Sequence, residues 1–210
     1  MALVTPTVQA EGVTGAWSWA VAWSAAPGEV ACGDRHLVMQ SGDGTVLAVV
    51  DALGHGQEAA AVASRAVAAV GAAPPGLDAE ALTRACHAAL DGTRGAVMTL
   101  AVHTPHAGSL DMIGVGNVEA WLRHDEVVDH VFNAPGIVGY RLPPLRARRM
   151  VTAAGDLLVM ASDGVAQGFS ATVRASGRSV AATARQVLET HRRGDDDALV
   201  LVARLDGDGG

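Results

Sequence analysis

Three uninterrupted aliphatic runs in this chain each carry aspartate at one end, and this pairing limits the fold more than any other feature. Val46-Leu47-Ala48-Val49-Val50 delivers Asp51, Leu157-Leu158-Val159-Met160-Ala161 leads into Ser162-Asp163-Gly164, and Asp195-Asp196-Asp197 precede Ala198-Leu199-Val200-Leu201-Val202. A fourth acid, in Cys32-Gly33-Asp34, opens a further apolar stretch. A lone aspartate at a strand end is ordinarily a turn residue. Four of them at the edges of buried-type strands in one chain point to a site. Buried carboxylates brought together repel and raise one another's pKa values. A hard divalent cation removes that conflict, and all-oxygen ligation with retained waters suits Mg²⁺ or Mn²⁺. Zinc fits less well, because His103 and His106 form an HxxH on a strand and its turn, where the rings diverge and read as surface residues.

The periodicity predicts how these runs are arranged. Trp17, Trp19, Val21 and Trp23 alternate as on a strand, and Arg35–Gln40 and Val46–Val50 flank a Ser-Gly-Asp-Gly turn as a hairpin. Helices are expected over Gln57–Val70, from Asp78 as N-cap to Leu90, and over Val180–Arg192. Between the second and third helices the spacing predicts strands at Ala96–Val102, Ser109–Val115, Glu119–Arg123, Val127–Phe132, Ala147–Thr152 and Leu157–Ala161. A last strand is expected at Ala198–Leu205. The Pro/Gly-rich stretch 133–144 reads as either a substrate loop or a long crossover. Strands and helices do not alternate, which argues against a doubly wound parallel sheet. The expected class is α+β: two packed antiparallel β-sheets, a β-sandwich, flanked by α-helices.

With 210 residues, half of them hydrophobic, the chain suits a single domain spanning 1–210, its core about 15–205, with short flexible ends including the DGDGG tail. A formal charge of −7 disfavours nucleic-acid binding. Arg146, Arg148 and Arg149 read as a solvated strand face or a local docking patch. Cys32 and Cys86 form neither a metal-ligand spacing nor a disulfide framework. No basic region followed by an apolar core opens the chain, and no apolar run approaches the ~20 residues a bilayer needs. The expectation is a cytoplasmic protein without a membrane partner.

The ordered set GD, DALGHG, GVGNVEAWL, GDLLVMASDGV and DDDALVLVAR resembles the metal-dependent type 2C Ser/Thr protein phosphatases, the PPM family. Within it the chain looks most like the bacterial SpoIIE-type branch, and GVGNVEAWL with PGIVGYRLPP looks like its RsbX-type stressosome phosphatases. The resemblance implies the PPM-type phosphatase fold, two Mn²⁺ or Mg²⁺ ions, and hydrolysis of phosphoserine or phosphothreonine without a phosphoenzyme. It implies a phosphorylated Ser/Thr protein substrate of the STAS-domain type. Asp51 would bridge both ions, Ala52 would offer its backbone carbonyl where the family often has Gly, Asp34 would hold one ion largely through water, and Asp163 the other. Two alignments compete for the last ligand: one selects Asp196, without a gap to the final strand, and the other Asp195. Asp197 is then a turn or cap residue.

Gly33 and Gly54 would let backbone approach ions or phosphate closely. Asn117 replaces the acid many relatives carry, which implies a shaping role and no third metal. His55 has two readings: organiser of the helix behind it, or proton donor to the leaving group, as proposed for a nearby His in eukaryotic relatives. No arginine precedes Arg35, so phosphate would rely on the ions, with selectivity from docking of the whole partner. Two further readings are a catalytically weak relative that binds the partner as a regulator, and a metal-stabilised sandwich without activity.

Overall fold

A computed structural model describes residues 8–171, 173 and 178–207. Its strands are β1 (Val8–Thr14), β2 (Trp17–Ser24), β3 (Asp34–Ser41), β4 (Gly44–Ala52), β5 (Ala96–Thr104), β6 (Ser109–Val115), β7 (Glu119–His124), β8 (Val127–His130), β9 (Asn133–Ala134), β10 (Arg148–Val151), β11 (Leu157–Ala161) and β12 (Ala198–Leu205). The helices are α1 (Gly56–Gly71), α2 (Ala79–Ala89) and α3 (Val180–His191). One sheet runs β1-β2-β12-β11-β7-β8; the other runs β10-β6-β5-β4-β3, with β9 beside β6. Every pairing is antiparallel except β6 with β9.

The aliphatic runs lack polar alternation because both of their faces are covered. Leu47 and Val49 of β4 point between the sheets, where they meet Val21, Leu158, Met160, Leu199 and Leu201. Val46, Ala48 and Val50 point the other way, onto Ala59, Ala63 and Ala66 of α1 and Leu82 and Cys86 of α2. In the other sheet, Val159, Val200 and Val202 pack beneath Ala184, Val187 and Leu188 of α3. The result is four layers, helices outside two sheets. Small Ala side chains on α1 let that helix lie close to β3 and β4. Asp78 caps α2 by accepting the Ala81 N–H at 2.8 Å.

Two sequence readings need correction, and the choice left open at 133–144 falls to the crossover. Strand β1 was not read from the sequence, because as a sheet edge it buries little and carries no aliphatic run; Val13 is 70% exposed. His103 is not a surface residue. It lies on β5 opposite Thr45, buried, with its ring edge-on to Trp17 at 5.4 Å; His106 is exposed. The 133–144 stretch is no free loop, for Asn133 and Ala134 pair with β6, and Val138 exchanges both backbone bonds with Ala96. It is a crossover packed against the sheet end. Arg148 and Arg149 sit on an exposed strand face, paired with Asp129 and Asp111. Of the DGDGG tail, Asp206 is bonded to Ser18 and to the Ala16 carbonyl, and residues 208–210 lie outside the described residues. Among the described residues no helix is long and apolar enough to cross a membrane.

Leu201 is fully buried between the sheets. Leu201→Ala is expected to cost about 2–5 kcal/mol through lost transfer energy and a residual cavity, read from denaturant unfolding. A second expectation concerns His124, whose Nδ1 lies 2.6 Å from the buried Asp156 carboxylate. That hydrogen bond, followed by the Asp156 charge, raises the His124 pKa. A raised histidine stabilises fully below its unfolded value of about 6.5, and the contribution fades as pH climbs through the native value. Melting temperatures at pH 6 and pH 8.5 should therefore differ more in the wild type than in His124→Ala.

Candidate metal centre

The hairpin register brings the first two acids together. Asp34 begins β3 and pairs directly with Asp51 near the end of β4, so their Cα atoms sit on neighbouring strands of one sheet. The other sheet supplies the second pair. Asp163 follows β11 by two residues and Asp196 precedes β12 by two, and these strands are neighbours with Ala161 opposite Val200. Two acids from each sheet thus converge at one end of the sandwich.

Their electrostatics record the convergence. Burial raises the Asp51 pKa well above the carboxylate range, and the charges of Asp34, Asp163 and Asp196 add to the shift. The close approach of the Asp163 carboxyl to Asp51 pushes in the same direction. Asp34 is raised by burial too, then by Asp197, Asp163 and Asp196, against the opposing effect of its bond from Ser162. Asp196 acts on both Asp34 and Asp51, and Asp195 is among the causes for neither. Asp196 therefore shares one field with Asp34, Asp51 and Asp163. Among the described residues no three His, Cys, Asp or Glu side chains are gathered tightly enough to hold one ion by themselves. The four acids are all oxygen donors, the chemistry that hard divalent cations take together with water.

Several neighbours hold these acids in place. Ser162 Oγ donates to Asp34 Oδ2 at 2.6 Å and accepts from the Leu199 N–H at 2.8 Å, which ties an acid of one sheet to the backbone of the other. Asn117 Nδ2 donates to Asp163 Oδ2 at 2.8 Å. Asp197 is buried and accepts from the backbone N–H groups of Ala26, at 2.8 Å, and Gly33, at 2.7 Å. It braces the segment that leads to Asp34, a larger task than the turn or cap residue the sequence implied. A Cβ at Gly33 would stand 2.9 Å from both Ala59 Cβ and Asp197 Oδ2, so only glycine fits there. Ala52 is buried and donates its N–H to the Gly33 carbonyl at 3.3 Å. Gly54 has φ of +87°, a left-handed turn that other residues resist.

His55 occupies the N-cap position of α1, yet its side chain makes no capping bond. Its exposed ring instead places Nδ1 2.8 Å from Glu29 Oε1. On the other side of the turn, Arg94 donates to the Leu53 carbonyl at 3.1 Å and pairs with Glu58. Sequence reading missed Glu29, Arg94 and Ser162. Glu29 and Arg94 come from loops whose path only the packed fold defines. Ser162 had one signal, its place beside Asp163.

Residues 41–206 match the family model for Stage II sporulation protein E (SpoIIE). The chain belongs to the SpoIIE family. That family is the one the sequence motifs implied. No curated protein matches the chain in sequence. A solved structure from work on the bacterial stressosome, as a modular system adapted to control secondary messenger signalling, is 31% identical. It superposes with a TM-score of 0.82 over 90% of this chain and 99% of the other. RsbX in complex with magnesium shares 18% identity and a TM-score of 0.82, over 94% and 99% of the two chains. The phosphatase domain of Bacillus subtilis SpoIIE shares 20% identity and a TM-score of 0.76, over 92% and 63%. The last two likenesses establish for this SpoIIE-family chain the fold expected from its sequence, a PPM-type sandwich.

A carboxyl whose native pKa lies above its unfolded value of about 4 favours the folded state at low pH, and that advantage shrinks as pH rises toward the native value. In chelator, the SpoIIE-family protein should therefore lose stability as pH rises from about 4 through the neutral range. Asp51→Asn, which removes one charge from the cluster, should flatten that slope and raise the melting temperature at pH 8. Adding Mn²⁺ should raise it in the wild type and much less in Asp51→Asn. Thermal scans with and without Mn²⁺ give both readings.

Proposed function

We propose that this protein is a Mn²⁺- or Mg²⁺-dependent phosphatase that removes phosphate from serine or threonine of a bacterial signalling protein, of the STAS-domain type found in stressosome and partner-switching systems. The observation that carries the proposal is the convergence of Asp34, Asp51, Asp163 and Asp196 from two sheets, with Asp163 and Asp196 of one sheet adding to the upward shift of Asp34 and Asp51 in the other. When bound, two such ions lower the pKa of a shared water and neutralise charge on an in-line phosphoryl displacement.

The chain's own residues set the geometry. Asp51, central to the cluster, would hold both ions together with the Ala52 carbonyl. Asp34, oriented by Ser162, would help hold one of them, and Asp163 with Asp196 the other. Asp195, in the same exposed bend as Asp196, is the alternative to it. Asn117 keeps Asp163 aimed while adding no further negative charge. Gly33 and Gly54 keep the approach free of side chains. His55 is the candidate proton donor to the leaving hydroxyl. With Nδ1–H facing the Glu29 carboxylate, only the doubly protonated ring, carrying a second proton on Nε2, would have a proton to give.

The second reading, a catalytically weak regulator that binds the same kind of partner, has Ala52 and Asn117 in its favour. Hydrolysis separates them. Phosphate release from p-nitrophenyl phosphate and from a phosphoserine STAS-domain protein should require Mn²⁺ or Mg²⁺ and stop with chelator. Asp51→Asn should lower kcat at least roughly 100-fold, since even outer-shell partners of metal ligands cost 10- to 100-fold. Metal-independent release, or full activity in the variant, would sink the two-ion reading. Tight partner binding with no release would establish the regulator.

A further inference from the structure

A cleft of about 490 Å³ opens next to the candidate centre, lined among others by Asn117, Glu119, His130, Phe132, Gln167 and Ser170. Asn117 belongs to both places, since its amide holds Asp163. Glu119 begins β7 directly opposite Ala161 of β11, two residues before Asp163. Its backbone is therefore pinned by the same strand that carries the acid, and it reaches the cleft from a rigid base.

The Glu119 side chain is only 24% exposed, and the basic group facing it is His130, with Nδ1 at 3.9 Å, the outer limit of an ion pair. No arginine or lysine lines the cleft among the described residues. Burial raises the Glu119 pKa, and the opposing pull of His130 is smaller. Phe132 lines the same cleft with 87% of its surface exposed. A large exposed aromatic side chain is an anchor for something else. A half-buried carboxylate together with an aromatic face is the chemistry that receives lysine or arginine. The alkyl stem lies along the ring and the charged head meets the acid.

We infer that this cleft is a specificity pocket for a lysine or arginine flanking the phosphorylated residue of the protein substrate, with Glu119 as the charge partner and Phe132 as the apolar wall. The inference rests on the phosphatase reading for its substrate and names what that substrate carries beside the phosphate. A basic flank also suits a site whose surroundings are acidic, in a chain of net charge −7.

The test uses the full chain and phosphoserine nonapeptides carrying Lys, Ala or Glu at each position flanking the phosphoserine. Hydrolysis and fluorescence-anisotropy binding are read on the same series, with p-nitrophenyl phosphate as a substrate too small to reach the cleft. At one flanking position Lys is expected to exceed Ala by about fivefold in kcat/KM, the scale of a partly exposed charge pair. Glu119→Gln should erase the preference, and Phe132→Ala should lower kcat/KM for the Lys peptide. Both variants should leave p-nitrophenyl phosphate turnover and the melting temperature unchanged. No Lys preference at any position, or a preference that survives Glu119→Gln, overturns the pocket. A Lys preference in binding that Glu119→Gln removes, with no hydrolysis of any substrate, sinks the phosphatase reading and upholds the pocket.

Discussion

The repulsion among four carboxylates at one end of the sandwich is the constraint on which this structure depends. Asp34 and Asp51 are adjacent by strand register, Asp163 and Asp196 by the pairing of β11 with β12. Such a cluster is unfavourable in isolation, and the rest of the fold supplies the energy that holds it. Three layers of aliphatic packing fix the strands whose ends carry the acids. The acids cannot relax apart without moving a strand that is buried on both faces.

The two sheets do not meet at the site by side-chain charge alone. Ser162 joins Asp34 to the Leu199 backbone, and Asp197 joins the start of β12 to Ala26 and Gly33. The bonds from Ser162 to Asp34 and from Gly33 to Asp197 cross from one sheet to the other, so the spacing of the acids is set by charge-assisted hydrogen bonds that do not need the cluster to be satisfied. A strained electrostatic site can be built this way because its geometry is paid for elsewhere.

Much of the fold was legible because its strongest signals are local. VLAVV, LLVMA and ALVLVA read as buried strands from composition, and they are buried on both faces. The helices announced themselves by periodicity and, for α2, by the Asp78 cap. Edge strand β1 was silent because a strand with solvent on one side and no sheet beyond it needs few apolar residues. His103 misled because Thr104, Pro105 and His106 follow it as a turn-like stretch, whereas its environment is set by Trp17 from another strand. Asp34, Asp51 and Asp163 could be singled out from the pattern of aliphatic run plus aspartate. Asp197 could not be assigned, for its partners at Ala26 and Gly33 lie about a whole chain length away.

The sequence by itself determined the helices and the strands other than β1 and β9, the family, and the acids that a metal-dependent site would draw on, because strand patterning and motif order are short-range properties. Only the tertiary structure decided which acids share one field, separating Asp196 from Asp195 by its influence on Asp34 and Asp51. It also turned Asp197 into a brace, tied His55 to Glu29 instead of to its helix, and set Glu119 and Phe132 in one cleft beside Asp163. Each of these depends on distances between segments far apart in the chain, and such distances exist only once the layers have packed.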